Sequence, residues 1–156
     1  MKDKLDEILR STAERTFESL AFMLTMPEAH DGAGQAAAAG ASVRFSGPLD
    51  GELIVRVCES VLQELAANML GLEGGSEARD EDRIDALKEL TNVMCGNLLP
   101  EIAGPAAEFK VSAPSRLAEG KPGSRGDREP AARARLRLDA GTAEVVLFAR
   151  EPARSG

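Results

Sequence analysis

The sequence predicts an α+β fold: one domain, a mostly antiparallel sheet with long helices packed on it. Strand-like and helix-like segments come in runs rather than in strict alternation, which argues against the crossover units of a parallel sheet. The β-branched runs come in pairs around short turn sequences, as hairpins do. The remaining apolar residues recur at helical spacing over a dozen residues or more. A chain of 156 residues is long enough to bury about 68–70% of its unfolded surface as one domain, without help from a metal or a disulfide. Hydrophobic residues make up 43% and aromatics only 3%, with no Trp and no Tyr, so the core falls to Leu, Val, Ala and Met.

Residues 4–24 place Leu5, Ile8, Leu9, Thr12, Thr16, Leu20 and Met23 at helical spacing among charges, a first helix that stops near Pro27. Residues 28–41, rich in Gly and Ala, read as a connection with a short strand at one end. "SVRFSG" and "GELIVRV" flank "PLD" and form a hairpin. "ESVLQELAANML" is a second helix with Gly71 as its C-cap. "EGGSEARDED" is a polar hinge whose Asp80 and Asp82 suit the positive end of a helix dipole. The third helix, "DRIDALKELTNVMCGNLL", is expected to close at Pro100. "EFKVSAP" is a short strand and residues 115–131 a flexible loop. "ARARLRLD" and "TAEVVLFAR" make a closing hairpin around "AG". No fixed-period repeat and no second domain is visible in residues 1–156.

The charge of -7 and pI near 4.9 argue against nucleic acid, which selects a clustered positive face, and against an anionic membrane surface. The charged start "MKDKLDEILRSTAERTF" is neither a secretory signal nor a spanning segment, so a cytoplasmic location is expected. Cys58, Cys95 and the single His30 supply no zinc set and no Cys-His nucleophile, which leaves free, structural thiols. Met23, Met26, Met69 and Met94 read as core filler. Arg133, Arg135 and Arg137 share one face of a strand, a solvated or edge-guarding face.

On a helical wheel of about 100° per residue, Ile84, Leu87, Thr91, Met94, Cys95 and Leu98 form an apolar stripe. Asp85, Lys88, Glu89, Asn92 and Gly96 fall on the opposite side. Glu89 and Asn92, three apart, therefore project together into solvent. An exposed helical glycine costs about 0.8–1.0 kcal/mol relative to Ala. Close approach of a second macromolecule at Gly96 accounts for it; a plain solvated face is the alternative.

"DALKELTNVMCGN" resembles the signature helix of the CheC/CheX/FliY chemotaxis phosphatases, where E-x-x-N followed by G-N marks the active face. "FSGPLDGELIVRV" is similar to the family's hairpin, "ESVLQELAANMLG" to its next helix, and "FKVSAPSRLAEG" to the strand after the active helix. The resemblance is strongest over residues 40–150 and is closest to the CheX type, because only Asn92 among Asn68, Asn92 and Asn97 follows an acidic residue by three. Departures are Pro100 after "GN" and a long, charged loop over residues 121–130, whose "RGD" is coincidence.

The resemblance implies a phosphatase that hydrolyses the aspartyl phosphate of a CheY-like receiver domain. Asn92 would orient the attacking water and Glu89 would pair with the receiver lysine, with Asp85, Lys88 and Gly96 against the partner. It implies no metal of the chain's own, since the receiver supplies Mg2+, and a homodimer, for which the terminal hairpin offers an edge. A non-catalytic receiver-binding or dimerisation module is the alternative. A small-molecule hydrolase lacks the Ser-His-Asp order, phosphate loop or carboxylate cluster it would need.

Overall fold

A computed structural model of the protein describes residues 2–26, 36–71, 79–117 and 129–150. The elements follow in the order α1 (Lys2–Ala21), β1 (Ala39–Ser46), β2 (Asp50–Val57), α2 (Glu59–Leu70), α3 (Asp80–Ala103), β3 (Lys110–Val111), β4 (Ser115–Arg116), β5 (Ala132–Leu138) and β6 (Gly141–Arg150). The strands form one sheet of order β3-β1-β2-β6-β5, with β4 also pairing β1. Every pairing is antiparallel, so the expected α+β class holds.

Alternation along the strands decides which side is the core. Leu53, Val55 and Val57 of β2 join Leu9, Phe17, Leu65, Leu87 and Met94 of the helices in one buried cluster. Ile54, between them, points the other way and packs with Val146, Phe148 and Leu117. All three helices therefore cover one face of the sheet. Gly51 is forced by this packing, because a Cβ there would lie 1.9 Å from the Phe148 carbonyl oxygen. Met23 and Met94 are buried and Met69 packs against the core, but Met26 is 48% exposed and is not core filler. Both cysteines are free and buried, and burial pushes the Cys95 thiol up to about 12.

β5 alternates as expected: Ala132, Ala134, Leu136 and Leu138 face inward and the three arginines outward. The edge itself is occupied. The Arg133 N–H donates to Asp6 Oδ1 at 2.9 Å, Arg10 donates to the Arg135 carbonyl at 3.0 Å, and the Met26 N–H donates to the Arg137 carbonyl at 2.7 Å. The groups β5 turns away from β6 are thus met by α1 and by the residues that follow it.

α2 and its Gly71 cap, at φ 67, lie where the sequence puts them. Three boundaries differ. α1 ends at Ala21, short of the expected span of residues 4–24, because Phe22 turns left-handed at φ 55 and its N–H bonds the Glu18 carbonyl at 3.1 Å. The Met23 N–H adds a second bond, to the Phe17 carbonyl at 3.1 Å, so the turn is closed by two bonds around an aromatic where glycine is usual, a placement that costs about 1–2 kcal/mol. α3 runs through Pro100 to Gly104, whose N–H bonds the Pro100 carbonyl at 2.9 Å. Pro100 has no N–H for the carbonyl of Gly96, but both residues are exposed, so water can meet that group and the helix continues. The expected strand over residues 108–114 shrinks to β3, and β4 arises inside the expected loop. Between them Ser112 carries the pairing, its N–H donating to the Arg44 carbonyl (2.8 Å) and its Oγ accepting the Arg44 N–H (3.0 Å). Pro27, His30, the hinge up to residue 78 and the loop over residues 121–128 lie outside the described residues.

Candidate active site

α3 positions the site because it is held from beneath. Ile84, Leu87, Thr91, Met94, Cys95 and Leu98 are all buried, as the wheel requires, and so are Ala86, Leu90 and Leu99. The buried face is broader than the stripe read from the sequence because α1 and α2 pack on α3 as well as β1 does. The Thr91 hydroxyl donates to the Leu87 carbonyl at 2.8 Å, which keeps a buried polar group satisfied beside Asn92. At the N-terminal end the Arg83 guanidinium bonds Glu59, Gln63 (3.3 Å) and Asp80 (3.4 Å), tying α3 to α2. The hydrogen bond to Glu59 raises the Arg83 pKa above its ordinary value. Arg116 reaches Asp80 at 3.5 Å and ties in β4.

On the outer side Asp85, Glu89, Asn92 and Gly96 are exposed and Lys88 is half-buried. The structure thus brings together on one surface the residues the sequence singled out. Among the described residues, Glu89 and Asn92 have no hydrogen-bond or ion-pair partner, so both present their full capacity outward. A carboxylate accepts only; a carboxamide both donates and accepts, which suits it to hold one water in a chosen orientation. A Cβ built on Gly96 meets nothing within 4 Å, so packing within this chain does not require glycine there.

Two features were not read from the sequence. Glu81, Asp85 and Glu89 recur at i, i+4 and i+8, and all are exposed, so the approach to Asn92 is a line of carboxylates. On the other bank a groove of about 670 Å³ opens between α1 and α3, lined among others by Thr12, Phe22 and Asn97. The acidic line was legible from the wheel; the groove was not, since it joins segments far apart in the chain. Among the described residues no group of three or more His, Cys, Asp or Glu is placed to hold a metal, and no helix is long and apolar enough to cross a membrane.

A helix carrying E-x-x-N on its open side, laid with two others on one face of an antiparallel sheet, defines a class of protein, and comparison with known proteins supplies its name. The sequence model described as "Chemotaxis phosphatase CheX" matches residues 39–129, and the chain belongs to that family. The family resemblance seen in the sequence is borne out. No curated protein matches the sequence. Among solved structures, chemotaxis protein CheX from Vibrio vulnificus is similar at TM-score 0.71 and 16% identity, covering 96% of this chain and 99% of that one. Chemotaxis protein CheX from Desulfovibrio desulfuricans aligns at TM-score 0.70 and 14% identity over 94% and 99% of the two chains. A CheX–CheY–BeF3–Mg complex from Borrelia burgdorferi aligns at TM-score 0.66 and 15% identity over 93% and 97%. At these identities the likeness is one of fold.

Proposed function

We propose that this chain is a phosphatase for the aspartyl phosphate of a CheY-like receiver domain, with Asn92 and Glu89 as its working side chains. The observation that carries the reading is the exposed Glu89–Asn92 pair, unpartnered among the described residues, on a helix clamped from below, in a chain of the CheX family. The Borrelia burgdorferi relative, in complex with CheY, BeF3 and Mg, supports the choice of partner.

The chemistry asks little of covalent catalysis. A water attacks phosphorus in line, the bond between phosphorus and the aspartyl oxygen breaks, the aspartate leaves as carboxylate, and the proton of the water passes to phosphate and solvent. What speeds such a step is positioning. The Asn92 carboxamide accepts one hydrogen from the water and donates to another acceptor at the reacting centre, which fixes the oxygen lone pair toward phosphorus. Glu89, three residues earlier, pairs with the receiver lysine and sets the register. Asp85 and Lys88 flank the contact, and Gly96 leaves clearance for the receiver backbone. The receiver brings the lysine and Mg2+; this chain brings no metal to the reaction.

A cytoplasmic location follows from that partner, and a homodimer from the family resemblance. The edge argument for a dimer does not extend to β5, whose outward groups already bond α1 and Met26. Light scattering at micromolar concentration tests the dimer. The test of the function is phosphate release from a panel of phosphorylated receivers with and without this protein. Faster release from at least one receiver is the expected result, and no acceleration of any would remove the reading.

A further inference from the structure

Although the chain carries a charge of -7, the outer face of the sheet, away from the helices, gathers positive charge at one edge. Arg133, Arg135 and Arg137 of β5 all point there and are exposed, because Ala132, Ala134, Leu136 and Leu138 between them face the core. Across the ladder Arg133 is opposite Val146 and Arg137 opposite Thr142, neither of which balances a charge. Arg135 is opposite Glu144, a carboxylate that Arg56 also approaches, at 3.9 Å. Apolar side chains extend the row. Thr25 bridges Leu138, and its hydroxyl donates to Glu14 of α1 at 2.9 Å, so Thr25 faces the helices. Leu24 and Met26, on either side of it, therefore point the other way, to the face of the arginines, where they are 65% and 48% exposed. A cationic row that ends in two exposed apolar side chains has the makeup of a docking surface.

The complementary surface is on the same molecule. Glu81, Asp85 and Glu89 are exposed on the outer side of α3, and among the described residues none of them has an ion-pair partner. The spacings fit. Strand positions two apart set the arginines about 6.7 Å from one to the next, and helix positions four apart set the carboxylates about 6 Å apart along the axis. The carboxylates wind about 80° round α3 over that length, so the helix crosses the strand at an angle. The helices cover one face of the sheet and the arginines point from the other. One copy therefore cannot join its own two rows, and two copies cannot close a symmetric pair through them; each offers one row to the next.

We infer that copies of this chain associate head to tail, the arginine row of one on the acidic line of the next. With α3 set parallel to β5, Glu89 meets Arg137 and the turn after it comes over Leu24 and Met26, where the absent side chain of Gly96 leaves them room. The contact itself rests on charge and register. Its consequence for turnover rests on the function proposed for Glu89, because the contact covers that residue and competes with the receiver.

Sedimentation of the wild type from micromolar to millimolar tests it in about 0.1 M NaCl, where a charge acts over about 10 Å, and in about 1 M, where it acts over about 3 Å. At the upper concentrations the weight-average mass is expected to be about twofold higher in the lower salt and still rising, without a dimer plateau. Charge reversal then identifies the surfaces. Arg133→Glu with Arg137→Glu, and separately Glu81→Lys with Asp85→Lys, should each hold the mass that the wild type has in the higher salt. Mixing the two variants should raise it again. Both stay net negative, so recovery on mixing cannot come from attraction between whole molecules. If a reversal lowers the melting temperature, the neutral variants Arg133→Gln with Arg137→Gln and Glu81→Gln with Asp85→Asn replace it, and each should lose the extra mass. A wild-type mass independent of salt, or a mixture of folded variants no heavier than its parts, overturns the inference. Turnover of a receiver per chain should fall as the mass rises; turnover that stays level overturns the claim that the contact covers Glu89. A wild type that accelerates no receiver removes the proposed function and leaves the contact standing.

Discussion

Asn92 and Glu89 are neighbours on one helix face, yet the proposed chemistry gives them separable roles, and each has its own signature. Asn92→Ala removes the group that orders water, so hydrolysis falls on the order of 10²-fold, about 2.7 kcal/mol of barrier, with little change in receiver affinity. Single-turnover phosphate release read beside calorimetric affinity checks the split. Glu89→Ala removes a docking charge. Its complex weakens, and the deficit is larger at low salt than at high, because ions screen an exposed charge pair. A titration of affinity against ionic strength that shows equal losses at both ends would assign Glu89 some other role. Both side chains are exposed, so neither change shifts stability beyond the roughly 0.5 kcal/mol of ordinary surface substitutions.

At the scale of the element, Gly96 sets helix stability against docking. It lies inside α3, exposed, and a Cβ there meets nothing within 4 Å. Gly96→Ala therefore stabilises the folded chain by about 0.8–1.0 kcal/mol while hindering a partner that must lie close to the helix. Thermal melting and receiver turnover should move in opposite directions; a gain in both would show that the glycine leaves no needed clearance. The same helix shows what the sequence makes legible. Its core stripe, its open face and the Glu89–Asn92 pair depend on spacing within one segment, so periodicity finds them. α2 was legible to its last residue because Gly71 supplies a local stop. The end of α3 was not, since whether Pro100 stops a helix depends on whether the carbonyl of Gly96 faces water or protein. Phe22 is harder still: nothing in its side chain announces a left-handed cap, and its backbone yields because the chain must turn back to lay Met26 against β5. β4 exists only because β1 lies beside Ser115 and Arg116. The groove needs Thr16 and Asn97 to meet across 81 positions, a juxtaposition that no local pattern encodes.

Across the whole molecule, the sheet has two ends and the chain treats them differently. At one end β1 is covered by two short strands joined through Ser112. At the other, β5 pairs only β6 within the sheet, and its outward groups bond Asp6, Arg10 and Met26. α1 thus does two jobs: it buries Leu9, Ala13 and Phe17 against the sheet, and its polar side chains cap the edge beside them. An uncapped edge is a template for a second chain, and the alternating arginines of β5 guard it only through charge. Replacing Asp6 and Arg10 together by Ala should separate these contributions. The Arg133 N–H and the Arg135 carbonyl lose their partners from α1, which costs about 0.5–1.5 kcal/mol for each bond and lowers the melting temperature by a few degrees. The freed edge should then pair with another copy once salt screens the arginines, so scattering mass rises with protein concentration and rises further with ionic strength. Neither residue lies on the outer face of α3, so turnover per chain in dilute solution should stay near wild type. A double variant that keeps the wild-type mass at every salt concentration would show that the arginine row alone protects the edge and that the α1 contacts serve stability only.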